Sequence, residues 1–297
     1  MNSNLRNVLS KLRKVTRVEK NVDLSKNSTF KIGGKASIVV EPSGVEEILK
    51  IIDILTTYKV KYLVVGNASN ILYGDGGYDG VIIKTHRLNH IEFHGTNVIA
   101  YAGVNINTLV LESVNRGLGG LEDAYLIPAT IGGAVKMNAS SSRFVASDVV
   151  DSVLVYSDGK IKLLSNSECE FGYRQSIFKD TDIILRVQFK LHKADKTELK
   201  NRLKEIVDYR NTIVPKLPSA GCVFKNPIGY SAGKLIEEAD LKGYSIGGAM
   251  ISNKHANIIT NCGGASSEDV KNLIKHIRSE VKRLFDINLE LEIKIIE

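Results

Sequence analysis

Apolar residues in this chain recur with two periods, helical and strand-like, in segments that alternate irregularly from end to end, and no other feature constrains the fold as much. Ser43 and Glu46 give a capping-box pattern ahead of Val45, Ile48, Leu49, Ile52 and Leu55. Asn107 to Asn115, closed by Gly117, reads as a second helix, and Glu198 to Arg210 places Leu199, Leu203, Ile206 and Val207 on one face. The longest helical run is Glu268 to Phe285, where Val270, Leu273, Ile274, Ile277, Val281, Leu284 and Phe285 trace one stripe behind Ser266 and Ser267. Between the helices, Ala36–Val40, Lys61–Val65, Val81–Lys84 and Val98–Tyr101 are β-rich, while Val153–Tyr156 and Lys160–Leu164 flank the hairpin signal Asp158-Gly159. Ile183–Leu191 and Leu289–Ile296 alternate, the latter with Leu289, Leu291, Ile293 and Ile295 on one side. No regular βαβ period orders these elements, which predicts an α+β fold.

Composition narrows the function classes. A chain of 297 residues with 43% hydrophobic residues buries a core without disulfides or a structural metal. No run reaches the ~18 apolar residues of a membrane span, so no membrane partner is expected. Cys169, Cys222 and Cys262 form no C-x-x-C pair and the six histidines lack metal-ligand spacing, so no metal is expected. An odd number of thiols without a secretory signal favours the cytoplasm. The net charge of +7 suits polyphosphate ligands at least as well as nucleic acid, since no aromatic or recognition-helix pattern accompanies it. No nucleic-acid partner is expected, and a monomer is. The basic first twenty residues place Leu5, Val8, Leu9 and Leu12 at helical spacing, which reads as an amphipathic helix packed on the body rather than a transit peptide. Breaks near residues 90 and 195 divide the chain into 1–90, 91–197 and 198–297.

Five segments carry candidate chemistry, each with a plainer reading beside it. Val64 to Leu72 runs a strand into small residues whose N–H groups suit an anion, or into an ordinary turn. Leu126 to Ala139 surrounds Gly132-Gly133 with small residues, fit for close approach to a ligand or for a tight crossing of strands. Phe171 to Ser176 offers Arg174 as a carboxylate clamp, or as a surface arginine. Pro218 to Pro227 sets Cys222 beside a glycine, either accessible or simply a small buried residue. Alternation puts Glu290, Glu292 and Lys294 on one face, which is solvated unless something covers it.

In order, these segments resemble the UDP-N-acetylenolpyruvoylglucosamine reductase family. Asn27 to Gly34 is similar to its N-T-[ST]-[FL]-x-[IV]-G-G opening, Gly66 to Leu72 to its G-G-G-S-N-[IL]-L flavin loop, and Ile127 to Asn138 to I-P-G-[ST]-[IV]-G-G-A-x-x-M-N. Phe171 to Ser176 is similar to F-G-Y-R-x-S and Ser219 to Pro227 to S-A-G-S-x-F-K-N-P; Ala232–Glu237, Leu241–Gly243 and Lys254–Asn257 resemble later signatures. The resemblance covers the chain from about Asn27 onward, without the longer insertions of one branch, as in the short type II form.

It implies an FAD-binding fold of the vanillyl-alcohol-oxidase (PCMH) type: an N-terminal helix with a first FAD subdomain in 1–90, a second in 91–197, and a substrate-binding domain in 198–297. It implies NADPH-dependent reduction, through bound FAD, of the enolpyruvyl ether of a UDP-sugar for peptidoglycan precursor synthesis. Flavin contacts fall on Val65, Gly66, Asn67, Ala68, Ser69, Asn70 and Ile71, and on Pro128, Ala129, Thr130, Gly132, Gly133 and Asn138. Arg174 would polarise the substrate carboxylate, Glu292 would stabilise the enol-type intermediate, Cys222 would donate the proton, and Tyr173 and Asn226 would touch substrate. The family's donor is serine, and the thiol here is still mostly protonated at neutral pH. Asn67-Ala68 replaces Gly-Gly, which strains the alanine if φ is positive there; Ala129 replaces a glycine, Ser140-Ser141-Ser142 an A-G-A-Y-like stretch, and Leu291 a common proline. The competing expectation is another FAD-dependent oxidoreductase on the same fold.

Overall fold

A computed structural model describes residues 3–141 and 143–297, so Ser142 of the serine triplet lies outside the described residues. The chain forms two compact units. One holds residues up to Lys20, Ser37–Asn67 and Gly80–Asp208, and the other holds Asn21–Ala36, Ala68–Asp79 and Tyr209–Glu297.

In the first unit α1 (Ser3–Leu12) buries Leu5, Val8 and Leu12 in one cluster with Ile48, Ile51 and Leu55 of α2 (Val45–Thr57), so the basic amphipathic start packs as its periodicity predicts. The cap of α2 differs from expectation. Gly44 is the N-cap, and the Ser43 N–H and hydroxyl donate to Glu47 rather than Glu46, at 3.0 and 2.6 Å. Ser43 sits one residue before the cap, so the carboxylate four positions on is the one in reach. These helices cover a four-stranded sheet ordered Arg17–Asp23, Lys35–Glu41, Tyr78–Lys84, Tyr62–Val65, whose Ile38, Val40, Val81 and Ile83 are fully buried. Each such side chain contributes about 1.5–3 kcal/mol relative to exposure.

A second, antiparallel sheet runs Lys160–Ser165, Val150–Ser157, Ile183–Lys190, Asn97–Tyr101, Ile91–His94. Asp158 and Gly159, at φ +50° and +80°, close its hairpin as the sequence predicts. Its core joins α3 (Ile106–Asn115), capped by the Asn105 side chain on Asn107 N at 2.9 Å, with α4 (Ile131–Lys136) and with Leu199 and Leu203 of α5 (Lys196–Ile213).

In the second unit an antiparallel sheet ordered Ser219–Cys222, Ile258–Asn261, Ala249–Ile251, Ser245–Ile246 shares a core with α6 (Ala232–Glu238) and α7 (Ser267–Phe285). Ser266 and Asp269 form a reciprocal capping box at the start of α7. Its stripe buries Val270, Leu273, Ile274, Ile277 and Val281, but Leu284 is 45% exposed. Steps of four from Leu273 lead to Phe285, which takes the core position and leaves Leu284 a turn-edge short of it. The final strand is shorter than the alternation suggests. Lys294–Ile296 pairs in parallel with Ile71–Tyr73, whereas Leu291 makes a lone bridge to Phe224; the stretch changes partners midway.

Candidate functional site

In the first unit two of the expected flavin segments meet. The Val65 carbonyl ends its strand by accepting from Thr85 N at 3.0 Å. At Gly66 a Cβ would lie 2.1 Å from Thr130 Oγ1, so the approach of the two segments requires glycine. Asn67 Nδ2 donates to the Pro128 carbonyl at 3.2 Å, and its Oδ1 lies 2.8 Å from His86 Nε2. Main-chain bonds lay the second segment along residues 102–106: Ile106 N to Ala129 O, Ile131 N to Val104 O and Gly132 N to Ala102 O. Thr130 caps α4, its hydroxyl accepting from Gly133 N at 3.4 Å, so the Gly132-Gly133 stretch, expected either to approach a ligand or to cross strands tightly, is a short helix.

The arginine turn is pinned to the end of that helix. Asn138, at φ +40°, donates from Nδ2 to Gly172 O at 2.9 Å and accepts Ser147 N at 3.0 Å. Ser176 Oγ donates to Lys136 O at 2.6 Å. Gly172 and Gln175 exchange both main-chain bonds and close a turn whose tip is Tyr173 and Arg174. Arg174 holds φ +55°, a left-handed conformation costing a side chain about 1 kcal/mol. Its Nη1 reaches Ser140 O at 3.4 Å and its guanidinium lies 5.8 Å from the Tyr173 ring centroid. Tyr173 is exposed and Arg174 half-buried.

In the second unit Cys222 follows Gly221, which holds φ +76°, and the strand register slips between Ser219 and Cys222. Such a bulge changes the direction of the side chain after it. Cys222 is half-buried, not sealed in the core. The next residue, Val223, accepts Glu292 N at 2.8 Å, so Cys222 and Glu292 stand on adjoining stretches of main chain. Asn70 Nδ2 donates to Glu292 O at 3.0 Å, and Asn70 O accepts Lys294 N at 2.9 Å. Ala68 is buried with φ +48°, Ser69 is half-buried, and Ile71 opens the strand beside Lys294. Asn226 Oδ1 accepts Ala232 N at 2.9 Å, at the start of α6. Glu290 is 78% exposed, the solvated residue of its face.

Three groups near these positions were not among the expected site residues. His86 gave no motif signal. Arg210 closes the predicted Glu198–Arg210 helix; burial pushes its pKa down while the Cys222 thiol acts in the opposite sense. Asn257, the last residue of the Lys254–Asn257 signature, bonds both Phe224 N and Phe224 O, at 2.9 and 2.7 Å. Among the described residues, no group of three or more His, Cys, Asp or Glu is placed to hold a metal, and no helix is long and apolar enough to cross a membrane.

A curated UDP-N-acetylenolpyruvoylglucosamine reductase of Clostridium botulinum is 40% identical over 276 residues, 92% of this chain and 90% of the relative. The chain belongs to the UDP-N-acetylenolpyruvoylglucosamine reductase family. The family's C-terminal domain model matches residues 214–296, and an FAD binding domain model matches 36–165. The crystal structure of the UDP-N-acetylenolpyruvylglucosamine reductase of Thermus caldophilus superposes with a TM-score of 0.83 at 36% identity, covering 95% of this chain and 100% of that one. A structure of alkyldihydroxyacetonephosphate synthase, at 16% identity and TM-score 0.51 over 63% of this chain and 40% of that one, shows the fold alone. The fold is the FAD-binding type of the vanillyl-alcohol-oxidase class with a C-terminal α+β domain. As a reductase of this family the chain is an FAD-dependent oxidoreductase with FAD and NADPH as cofactors, acting on a small-molecule UDP-sugar.

Proposed function

We propose that the chain reduces UDP-N-acetylglucosamine enolpyruvate to UDP-N-acetylmuramate, a cytoplasmic step of peptidoglycan precursor synthesis, as a monomer without nucleic-acid partners. Within that reading residues 1–90 and 91–197 form the two FAD subdomains and 198–297 the substrate domain. What supports the cofactor is the chemistry of the segments: a Cβ at residue 66 would collide with Thr130 Oγ1 at 2.1 Å, so the turn must stay bare main chain, and bare main-chain N–H groups suit a flavin diphosphate. FAD held by these segments would supply the hydride chemistry, with NADPH as the source of the electrons, and the chain's own residues would hold the enolpyruvyl group for it. Arg174 holds the substrate carboxylate and draws charge toward it. The Cys222 thiol holds the proton that C2 receives. Glu292 steadies the enol-type intermediate, and Tyr173 and Asn226 position the substrate. Val65, Gly66, Asn67, Ala68, Ser69, Asn70 and Ile71 hold the flavin together with Pro128, Ala129, Thr130, Gly132, Gly133 and Asn138.

The observation that supports the chemical assignment is the adjacency of Cys222 and Glu292 through the Val223–Glu292 main-chain bond, with a glycine bulge directing the thiol. The test separates the half-reactions. In Cys222→Ala, NADPH still bleaches the flavin but turnover with the enolpyruvyl substrate stops, and Cys222→Ser keeps substantial activity. Equal loss of both half-reactions in Cys222→Ala would remove Cys222 from the donor role.

A further inference from the structure

Asn67 stands where the family pattern has glycine, and its side chain ties together two segments of the first unit. Because Nδ2 donates to the Pro128 carbonyl at 3.2 Å, Oδ1 is the atom facing His86 Nε2 at 2.8 Å. An amide oxygen only accepts, so Nε2 carries the ring proton and Nδ1 is bare. Nδ1 is itself buried with no hydrogen-bond partner in the structure, so a second proton there would be a buried donor with no acceptor. The neutral Nε2–H form is therefore the one the site holds. His86 in turn follows Thr85, which donates from both N–H and hydroxyl to Val65 O, at 3.0 and 3.4 Å. Residues 65–67 are thus fixed from one side by Thr85 and His86 and joined on the other to Pro128.

We propose that Asn67 and His86 act as a positioning pair that presets the spacing of residues 65–67 against 128–133 for FAD. This rests on the reading above that both segments hold the cofactor. A loop already set in its bound spacing gives up less freedom when the ligand arrives, and that saving appears as affinity. A glycine at 67 has no side chain with which to reach either His86 or Pro128, so reverting to the family residue loosens the site in this chain.

The experiment strips FAD from the holoenzyme and titrates FAD back by fluorescence into wild type, Asn67→Gly, His86→Ala, His86→Gln and the double variant Asn67→Gly/His86→Ala. Each of Asn67→Gly and His86→Ala should raise the FAD Kd roughly three- to tenfold, the worth of one hydrogen bond. The double variant should be no weaker than the worse single one, because each single change already breaks the pair. His86→Gln, whose amide N–H replaces Nε2–H, should return to within about twofold of wild type. Unchanged affinity in the single variants, additive losses in the double one, or a His86→Gln as weak as His86→Ala would each overturn the pair. A wild-type apoprotein that takes up no FAD would instead overturn the cofactor reading on which the pair depends.

Discussion

Ala68 is buried and holds φ +48°, a conformation that costs an L side chain about 1–2 kcal/mol. Ala68→Gly removes that strain but widens the unfolded ensemble, so we expect a net gain of up to about 1 kcal/mol, read as a higher Tm of the apoprotein. A lower Tm would mean that the methyl contributes packing that outweighs the strain. The position was legible in the sequence, because a glycine pattern interrupted by alanine flags a backbone demand. Asn257 was only half legible. Its place in a signature was visible, but its work, satisfying both main-chain groups of Phe224, depends on a pairing across 33 residues that no local pattern encodes. Asn257→Leu strands a buried N–H and a buried C=O and should cost about 2–4 kcal/mol in urea denaturation, far more than an exposed amide. A cost below about 1 kcal/mol would mean that water takes over both bonds.

Among the elements, those with a long period were readable and those set by a single close approach were not. The α7 stripe and the Asp158-Gly159 hairpin fall where periodicity and turn chemistry place them. The short helix α4 escaped because glycines at 132 and 133 lower helix propensity, while the Thr130 cap and the seat of Gly132 against Ala102, where a Cβ would come within 2.9 Å, favour it. The bulge before Cys222 was equally hidden, since one residue's φ decides it. It makes a clean prediction. Space around Gly221 is open, so Gly221→Ala meets no clash and should lose only the left-handed penalty of about 1 kcal/mol, measured by chemical denaturation. A loss of several kcal/mol would show that the bulge cannot keep its shape with a side chain at 221.

At the level of the whole molecule, each unit carries one half-buried histidine held below the ordinary imidazole value. For His86 burial is the main cause, with Lys84 adding to it and Glu41 opposing; for His255 burial again leads, with Lys242 adding and Glu237 and a backbone bond opposing. As pH falls below about 6.5 the unfolded chain takes these protons first, so stability is full above that value and declines toward the folded-state values. Melting curves from pH 8 to 5 should show this decline, and replacing both histidines by Gln should flatten it; an unchanged slope would assign the acid sensitivity elsewhere. The thiols divide similarly: burial, with Glu168 adding, pushes Cys169 up to about 11, whereas Cys262 is exposed. Iodoacetamide at pH 8 should therefore modify Cys262 and spare Cys169 in the native protein, and early labelling of Cys169 would contradict its burial. The second unit also gathers its core from distant stretches: Phe30, Ile32 and Leu72 are buried with Val223, Ile236 and Val270. On the ribosome those early apolar residues emerge on the order of ten seconds before the segment that shelters them, a delay during which they invite chaperone capture.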